Sequence, residues 1–198
     1  MKIAVYGKIR CGKSTVCDYI SDKMECEIIE FSDSLQEVVD VLYPEKKGIK
    51  DRGLLIEVGQ HLREYDEDVW VNTVKYKVLN SKAPNILVCG VRQQNEYDML
   101  KELGFTFIEV FSTEETRLER CFQSGDSFNP ESLNHETENK MGAFKCDYFI
   151  LNEGTTEELI EATDQIIESM AQKELKDKFF KSKINEFFER VGVDIERD

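Results

Sequence analysis

The chain has 198 residues, 33% of them charged, with 40 acidic side chains against 26 lysines and arginines and a net charge of −14. That length accommodates one α/β domain or a domain with a lid. The acidic balance argues against duplex DNA and an anionic membrane surface as main partners, because both need a basic footprint. No stretch approaches the roughly 18 apolar residues of a membrane span. The first apolar run begins at residue 2, which leaves no room for a signal peptide and makes a cytoplasmic location the expectation. A small anionic ligand stays open, since it needs only a local basic pocket.

In chain order, Lys2 to Tyr6 reads as a short buried strand. Gly7-Lys8-Ile9-Arg10-Cys11-Gly12-Lys13-Ser14-Thr15 follows and matches G-x-x-x-x-G-K-[ST], and Val16, Ile20 and Met24 then recur at helical spacing. Strand, glycine loop and helix start stand in the order a phosphate-binding loop requires. The glycines let backbone N–H groups face one concavity, and the helix adds the positive end of its dipole. A triphosphate fits there, with Lys13 reaching the β- and γ-phosphates and the Ser14 hydroxyl on Mg²⁺.

Residues 26–31 read as a second strand, and Ser32-Asp33-Ser34 as the N-cap of a helix carrying Leu35, Val38, Val39 and Leu42. Asp33 has two readings, a plain cap or a carboxylate at the strand edge where open α/β sheets bind ligands. After a polar break with Pro44 and Gly48, Leu55, Val58 and Leu62 mark a helix face. Arg63 on that helix reads as a solvated charge by default. The only tryptophan, Trp70, follows an acidic cluster, and Val71, Val74 and Val78 mark the next helix.

Residues 86–91 form a continuous apolar run, as a central parallel strand would, with Arg92 at its ligand edge. Gln93 to Glu96 opens a helix that Gly104 ends. Residues 105–111 make a fourth strand, and the helix from Thr113 carries Arg117 and Arg120 on one face. Residues 124–140 are turn-rich and read as a lid or an ordinary surface loop. Residues 148–151 make the last strand. Thr155 to Glu158 forms a capping box before a docked helix with Leu159, Thr163, Ile166, Ile167 and Met170. The tail from Gln172 places Phe180, Ile184, Phe187, Phe188 and Val191 on one face. Such a face must be buried; packing on its own domain is the first expectation and a homodimer contact the second. The six cysteines form no CxxC pair and are expected to be free thiols, and with only two histidines zinc is not expected.

Five segments together resemble the bacteriophage-type deoxynucleoside monophosphate kinase family of P-loop nucleotide kinases, over roughly residues 1–168. They are the P-loop, Phe31-Ser32-Asp33 with Leu35, the stretch from Gly59 and Arg63 to Asp68 and Trp70, Val91-Arg92 with Asn95-Glu96, and residues 146–152 with Gly154-Thr155. The closing segment is shared with dephospho-CoA and phosphomevalonate kinases. The resemblance implies a three-layer α/β sandwich, a central parallel sheet of about five strands with helices on both faces and a helical lid. The kinase domain would span 1–170 with its lid around 113–145, and 171–198 would be an amphipathic helical extension of the same domain.

It also implies roles. Gly7, Arg10, Cys11, Gly12, Lys13, Ser14 and Thr15 would hold ATP, with Ser14 as the Mg²⁺ ligand. Asn152, Gly154 and Thr155 would line the adenine pocket. Asp33 would stand by the acceptor phosphate as a base or a metal-shell carboxylate. Arg63 and Arg92 would bind the acceptor monophosphate, and Asp68, Trp70 and Asn95 its nucleoside side. Arg117 and Arg120 would close on the transferring phosphoryl group. His135-Glu136-Thr137 resembles a family lid segment only loosely. One departure is plain: the family's Asp-Val-Arg is Gly90-Val91-Arg92 here, which leaves Asp33, or Ser14 with the nucleotide phosphates alone, to serve the metal. The implied reaction is ATP + dNMP → ADP + dNDP, with Mg²⁺ as cofactor, small-molecule nucleotides as partners and, for a phage protein, the host cytoplasm as location. A kinase of another small phosphorylated acceptor such as dephospho-CoA, or a non-kinase NTP-binding switch, are the alternatives.

Overall fold

The computed structural model describes residues 1–49, 51–123 and 144–191. In order these form β1 (Lys2–Tyr6), α1 (Lys13–Lys23), β2 (Glu27–Glu30), α2 (Phe31–Leu42), a 3-10 turn (Pro44–Lys46), α3 (Arg52–Tyr65), α4 (Val69–Asn80), β3 (Ile86–Val91), α5 (Gln94–Glu102), β4 (Thr106–Phe111), α6 (Glu114–Gln123), β5 (Tyr148–Leu151) and α7 (Thr156–Val191). The five strands make one parallel sheet in the order β2-β3-β1-β4-β5. This is the P-loop kinase α/β fold.

Strand alternation divides the core into two layers. Ala4, Tyr6, Val88 and Phe107 face α2, α4 and α5, where Phe31, Trp70, Val74 and Leu100 close one cluster. Ile3, Val5, Leu87, Ile108 and Val110 face α1 and α7, where Val16, Ile20, Leu159 and Met170 close the other. Because both faces of β1 and β3 are covered, those strands read as unbroken apolar runs. All five strands point the same way, so the loops after β1, β3, β4 and β5 gather at one edge, the ligand edge of such sheets.

Four expectations are corrected. The second strand stops at Glu30, and α2 begins at Phe31 with Glu30 as N-cap. Phe31, 8% exposed, enters the core beside Ile29 and Trp70 and draws the helix start back. Asp33 therefore lies in the first turn of α2, facing the positive helix end, rather than in a cap. Second, Cys17 of α1 and Cys89 of β3, whose side chains enter the same core layer, are joined as a disulfide, and the other four cysteines lie outside it. Third, Trp70 is a core residue, as described below.

The fourth concerns the tail. α7 is one unbroken helix of 36 residues, about 54 Å long at 1.5 Å per residue. Its first half is docked: Leu159, Thr163, Ile167 and Met170 are buried, Tyr19 donates to Asp164 Oδ1 at 2.8 Å, and Lys23 pairs with Asp164. Its second half leaves the body, with Leu175, Phe179, Phe180, Ile184 and Phe187 all exposed. No glycine or proline between residues 156 and 191 lets the chain turn back, so among the described residues this half does not pack on its own domain. Among the described residues no helix is long and apolar enough to cross a membrane. The lid expected around 113–145 is described only for its flanks; residues 124–143, with His135 and Glu136, lie outside the described residues.

Candidate active site

The loop after β1 is built from unusual backbone. Gly7 (φ 149°), Arg10 (φ 63°) and Gly12 (φ 99°) all have positive φ, and Arg10 is the only non-glycine to do so among the described residues. Cys11 N–H donates to Lys8 O at 3.3 Å and Val16 N–H to Gly12 O at 3.2 Å, closing the turn into α1. Neither glycine tolerates a side chain. A Cβ on Gly7 would lie 2.1 Å from the Val110 carbonyl oxygen, and one on Gly12 would lie 2.4 Å from Asn152 Nδ2. Lys13 Nζ donates to Lys8 O at 2.7 Å, which holds its charge over the loop. Ser14, next on α1, is exposed.

Residues just beyond β4 and β5 clasp this loop from behind. Asn152, 5% exposed, donates from Nδ2 to Cys11 O at 2.9 Å. The Ser112 hydroxyl donates to Asn152 O at 2.5 Å. Arg120 of α6 completes the clasp, with Nη1 donating to Ser112 Oγ at 3.0 Å and Nη2 to Asn152 O at 3.1 Å and Oδ1 at 3.2 Å. Arg117 is 4% exposed and points Nη1 at Ile9 O, 3.5 Å away, while its Nε makes no hydrogen bond. Glu153 accepts from the Thr116 hydroxyl and, at 2.5 Å, from Thr113 N–H, and these bonds hold its carboxyl below the usual range. Arg117 and Arg120 thus reach the loop's carbonyls; the resemblance implies that they close on the transferring phosphoryl group. Gly154 and Thr155 are exposed just beyond, and the Thr155–Glu158 capping box forms.

A second cluster stands at the C-terminal end of β3. Glu96, 3% exposed, accepts at Oε2 from the backbone N–H groups of Arg92 (2.8 Å) and Gln93 (3.1 Å). Burial pushes its carboxyl up, while those N–H groups and the charges of Arg63 and Arg92 pull it back. Burial also lowers the half-buried Arg63 guanidinium, opposed by the charge of Glu96. The charges of both arginines expected on the acceptor thus act on one buried carboxylate. Asn95 donates to Asp68 Oδ1 at 2.8 Å and to Glu67 O at 3.2 Å, tying α5 to the α3–α4 corner. Asp33 is exposed beside a cavity of about 170 Å³ that it lines with Ser32, Gln36 and Gly48.

Trp70 departs from its expected role. It is 3% exposed, and its indole N–H donates to Gly59 O at 3.3 Å, so it fixes α4 against α3 one turn before Arg63 and offers no open face to a nucleoside. Gly90 explains the missing acid of β3. The β1–β3 register runs Val5↔Cys89 and then Tyr6↔Val91, so Gly90 is the extra residue of a bulge, at φ 80°. An aspartate there would be strained. Sequence reasoning also missed Ser112 and Glu96 as site residues. Ser112 sits directly past a ligand-edge strand, and Glu96 is the partner of Gln93 in a capping box; both positions were available as signals.

Among the described residues no group of three or more His, Cys, Asp or Glu side chains could hold a metal ion. Mg²⁺ does not ask for one, because it keeps waters and takes one or two protein ligands beside nucleotide phosphates. The Ser14 hydroxyl and the Asp33 carboxylate fit that modest role.

Fold and loop together define a P-loop nucleotide-binding α/β protein. Residues 3–140 match the AAA domain family, and the chain belongs to it. Its fold is that of ATP-dependent small-molecule kinases. A sugar kinase from a Janibacter species superposes with a TM-score of 0.55 at 19% identity, covering 81% of this chain and 90% of that one. A dephospho-CoA kinase from Campylobacter jejuni gives 0.54 at 15% identity over 88% and 100% of the two chains. A gluconokinase from Sinorhizobium meliloti gives 0.53 at 18% identity over 87% and 96%. At these identities the likeness is one of fold. No curated protein sequence matches the chain.

Proposed function

We propose that the protein is an ATP-dependent kinase that transfers the γ-phosphoryl group to a deoxynucleoside monophosphate, giving ADP and dNDP. The observation that supports this reading lies at the C-terminal end of β3, the strand beside β1 and its phosphate loop: Arg92 donates its backbone N–H to buried Glu96, and the charges of Arg63 and Arg92 both act on that carboxylate. In a chain with a net charge of −14, cations collected there suit a second anionic substrate beside the nucleotide. The fold of the sugar, gluconate and dephospho-CoA kinases agrees with small-molecule phosphorylation.

The chemistry asks for placement and charge neutralisation rather than covalent help. An oxygen of the acceptor phosphate forms a bond to the γ-phosphorus, and the bond from that phosphorus to the β,γ-bridging oxygen breaks, leaving ADP. A phosphate monoester has its second pKa near 6, so at neutral pH it arrives largely deprotonated. No general base is required, and Asp33 orients the acceptor. Bound Mg²⁺ would neutralise charge on the β- and γ-oxygens, held by Ser14 and the nucleotide. Lys13 supports the same oxygens, and Arg63 and Arg92 fix the acceptor phosphate in line.

The test is the initial rate of ADP release from ATP–Mg²⁺ against a panel of dNMPs, rNMPs, dephospho-CoA, shikimate and gluconate. Stimulation by one or a few dNMPs supports the proposal and identifies the base. Stimulation by another acceptor keeps the donor site and replaces the acceptor class. ATP binding without acceptor-dependent turnover refutes the kinase reading in favour of a nucleotide-binding switch.

A further inference from the structure

No step of the phosphoryl transfer uses Cys17 or Cys89, yet their bond is the one disulfide among the described residues and joins two elements of the site. Cys17 stands one helical turn after Lys13 and three residues after Ser14 on α1, so it lies on the side of the helix that Lys13 shares. Cys89 pairs with Val5 of β1 in the sheet and leads directly into the Gly90 bulge and on to Arg92. The bond therefore runs from the helix that opens with the donor lysine to the strand that ends at Arg92. The far half of α1 is held separately, by Tyr19 and Lys23 on Asp164 of α7. The disulfide acts on the near half, next to the phosphate loop.

Both redox states suit the fold. Cys17 and Cys89 are 5% and 7% exposed among Val5, Val16, Ile20 and Leu87, and thiols there would pack as small apolar groups. What the bond adds is a fixed place for the start of α1 over β3. A phosphate loop binds through backbone N–H groups already aimed at the anion, and a loop ordered beforehand loses less freedom on binding. We infer that the Cys17–Cys89 bond is a redox lock on the donor loop: the disulfide form binds ATP more tightly than the dithiol form. The lock opens by exchange with a dithiol reductant. A reductant thiolate attacks one protein sulfur, the protein S–S bond breaks, and the reductant's second thiol then releases the remaining protein thiol. The protein gains two electrons and two protons, and the reductant leaves as a disulfide. Because both sulfurs are buried, the attack requires α1 to open, and a nucleotide on the loop opposes that opening. Coupling of this kind is reciprocal, so ATP favours the disulfide as the disulfide favours ATP. The inference rests on the nucleotide-binding reading of the loop and not on the identity of the acceptor.

The experiment compares the full chain treated with dithiothreitol and the full chain treated with diamide. Alkylation under denaturing conditions, read by mass, should count four labels on the oxidised chain, with Cys17 and Cys89 as the unlabelled pair, and six on the reduced chain; six on both overturns the inference. Calorimetric titration with ATP–Mg²⁺ should give a dissociation constant about 5-fold or more higher for the reduced chain. Equal affinity overturns the lock alone, whereas no ATP binding in either state overturns the donor-site reading together with it. Reduction of the disulfide should slow about tenfold at an ATP concentration ten times the dissociation constant, and a rate indifferent to ATP refutes the coupling. The variant Cys17→Ala/Cys89→Ala, checked by circular dichroism, should bind ATP with the reduced chain's affinity after either treatment. A variant that still responds to the treatment assigns the effect to another cysteine and overturns the inference. If the variant does not fold, the two wild-type measurements decide the matter by themselves.

Discussion

Gly12→Ala tests how the donor loop is held. Two costs add. Alanine at φ 99° costs about 1–3 kcal/mol of backbone strain. The new Cβ would also stand 2.4 Å from Asn152 Nδ2 and 3.1 Å from Leu159 Cδ2, so the amide must move and give up its 2.9 Å bond to Cys11 O. A buried polar group left unpaired costs about 1–3 kcal/mol. The substitution should therefore destabilise the protein by about 2–6 kcal/mol, a large part of the roughly 5–15 kcal/mol that holds a domain folded. In an Asn152→Ala background the amide and its bond are already gone, and the strain of about 1–3 kcal/mol should remain with only the softer Leu159 contact beside it. The coupling energy between the two sites should then be about 1–3 kcal/mol. Urea unfolding measures all four variants through the fluorescence of Trp70, the only tryptophan and 3% exposed. If Gly12→Ala costs the same with and without the Asn152 side chain, the clasp is not what fixes this loop.

Four further outcomes are expected. Lys13→Ala should lower acceptor-dependent turnover by about a hundredfold or more with the urea midpoint nearly unchanged; near-normal rates would remove it from the donor site. Arg92→Ala should raise the acceptor KM and lower kcat while sparing the KM for ATP, and an unchanged acceptor KM would separate it from the acceptor. Glu96 has its folded-state pKa raised by burial, so the stability linked to it is fully present below the ordinary glutamate pKa and is lost as pH rises through the folded value. Glu96→Gln should flatten that part of the stability–pH curve, and an unaltered slope would show that Glu96 does not titrate there. Trp70→Phe removes the indole bond to Gly59 O and should cost about 1–2 kcal/mol with base preference unchanged; altered preference at full stability would return Trp70 to the binding pocket.

Some of this molecule is legible in short stretches of sequence. The phosphate loop is a local device: its glycines, the lysine and the flanking strand and helix are contiguous, so the strand–loop–helix arrangement follows from one segment. The Thr155–Glu158 capping box and the Gly104 helix end are local in the same sense. The resemblance puts Trp70 on the nucleoside, and an aromatic after an acidic cluster looks the same whether it faces solvent, ligand or core. Burial by α3 and Phe31 decides the matter, and neither is visible in the spacing. The start of α2 shifted for a similar reason, since Ser32 and Asp33 are good caps locally while Phe31 is claimed by the core.

The sequence by itself determined the alternation that makes a two-faced parallel sheet, the backbone chemistry of the donor loop and the absence of an aspartate at position 90. Those depend on residue type and near neighbours. Only the tertiary structure decided that the charges of Arg63 and Arg92 act on buried Glu96, that Arg120 and Asn152 serve the loop from behind, and that the apolar seam of α7 leaves the body. These depend on where separate strands end in space and on how far a helix runs beyond its support. The reason is physical: a periodicity records which face of an element must be buried, and only packing selects what buries it.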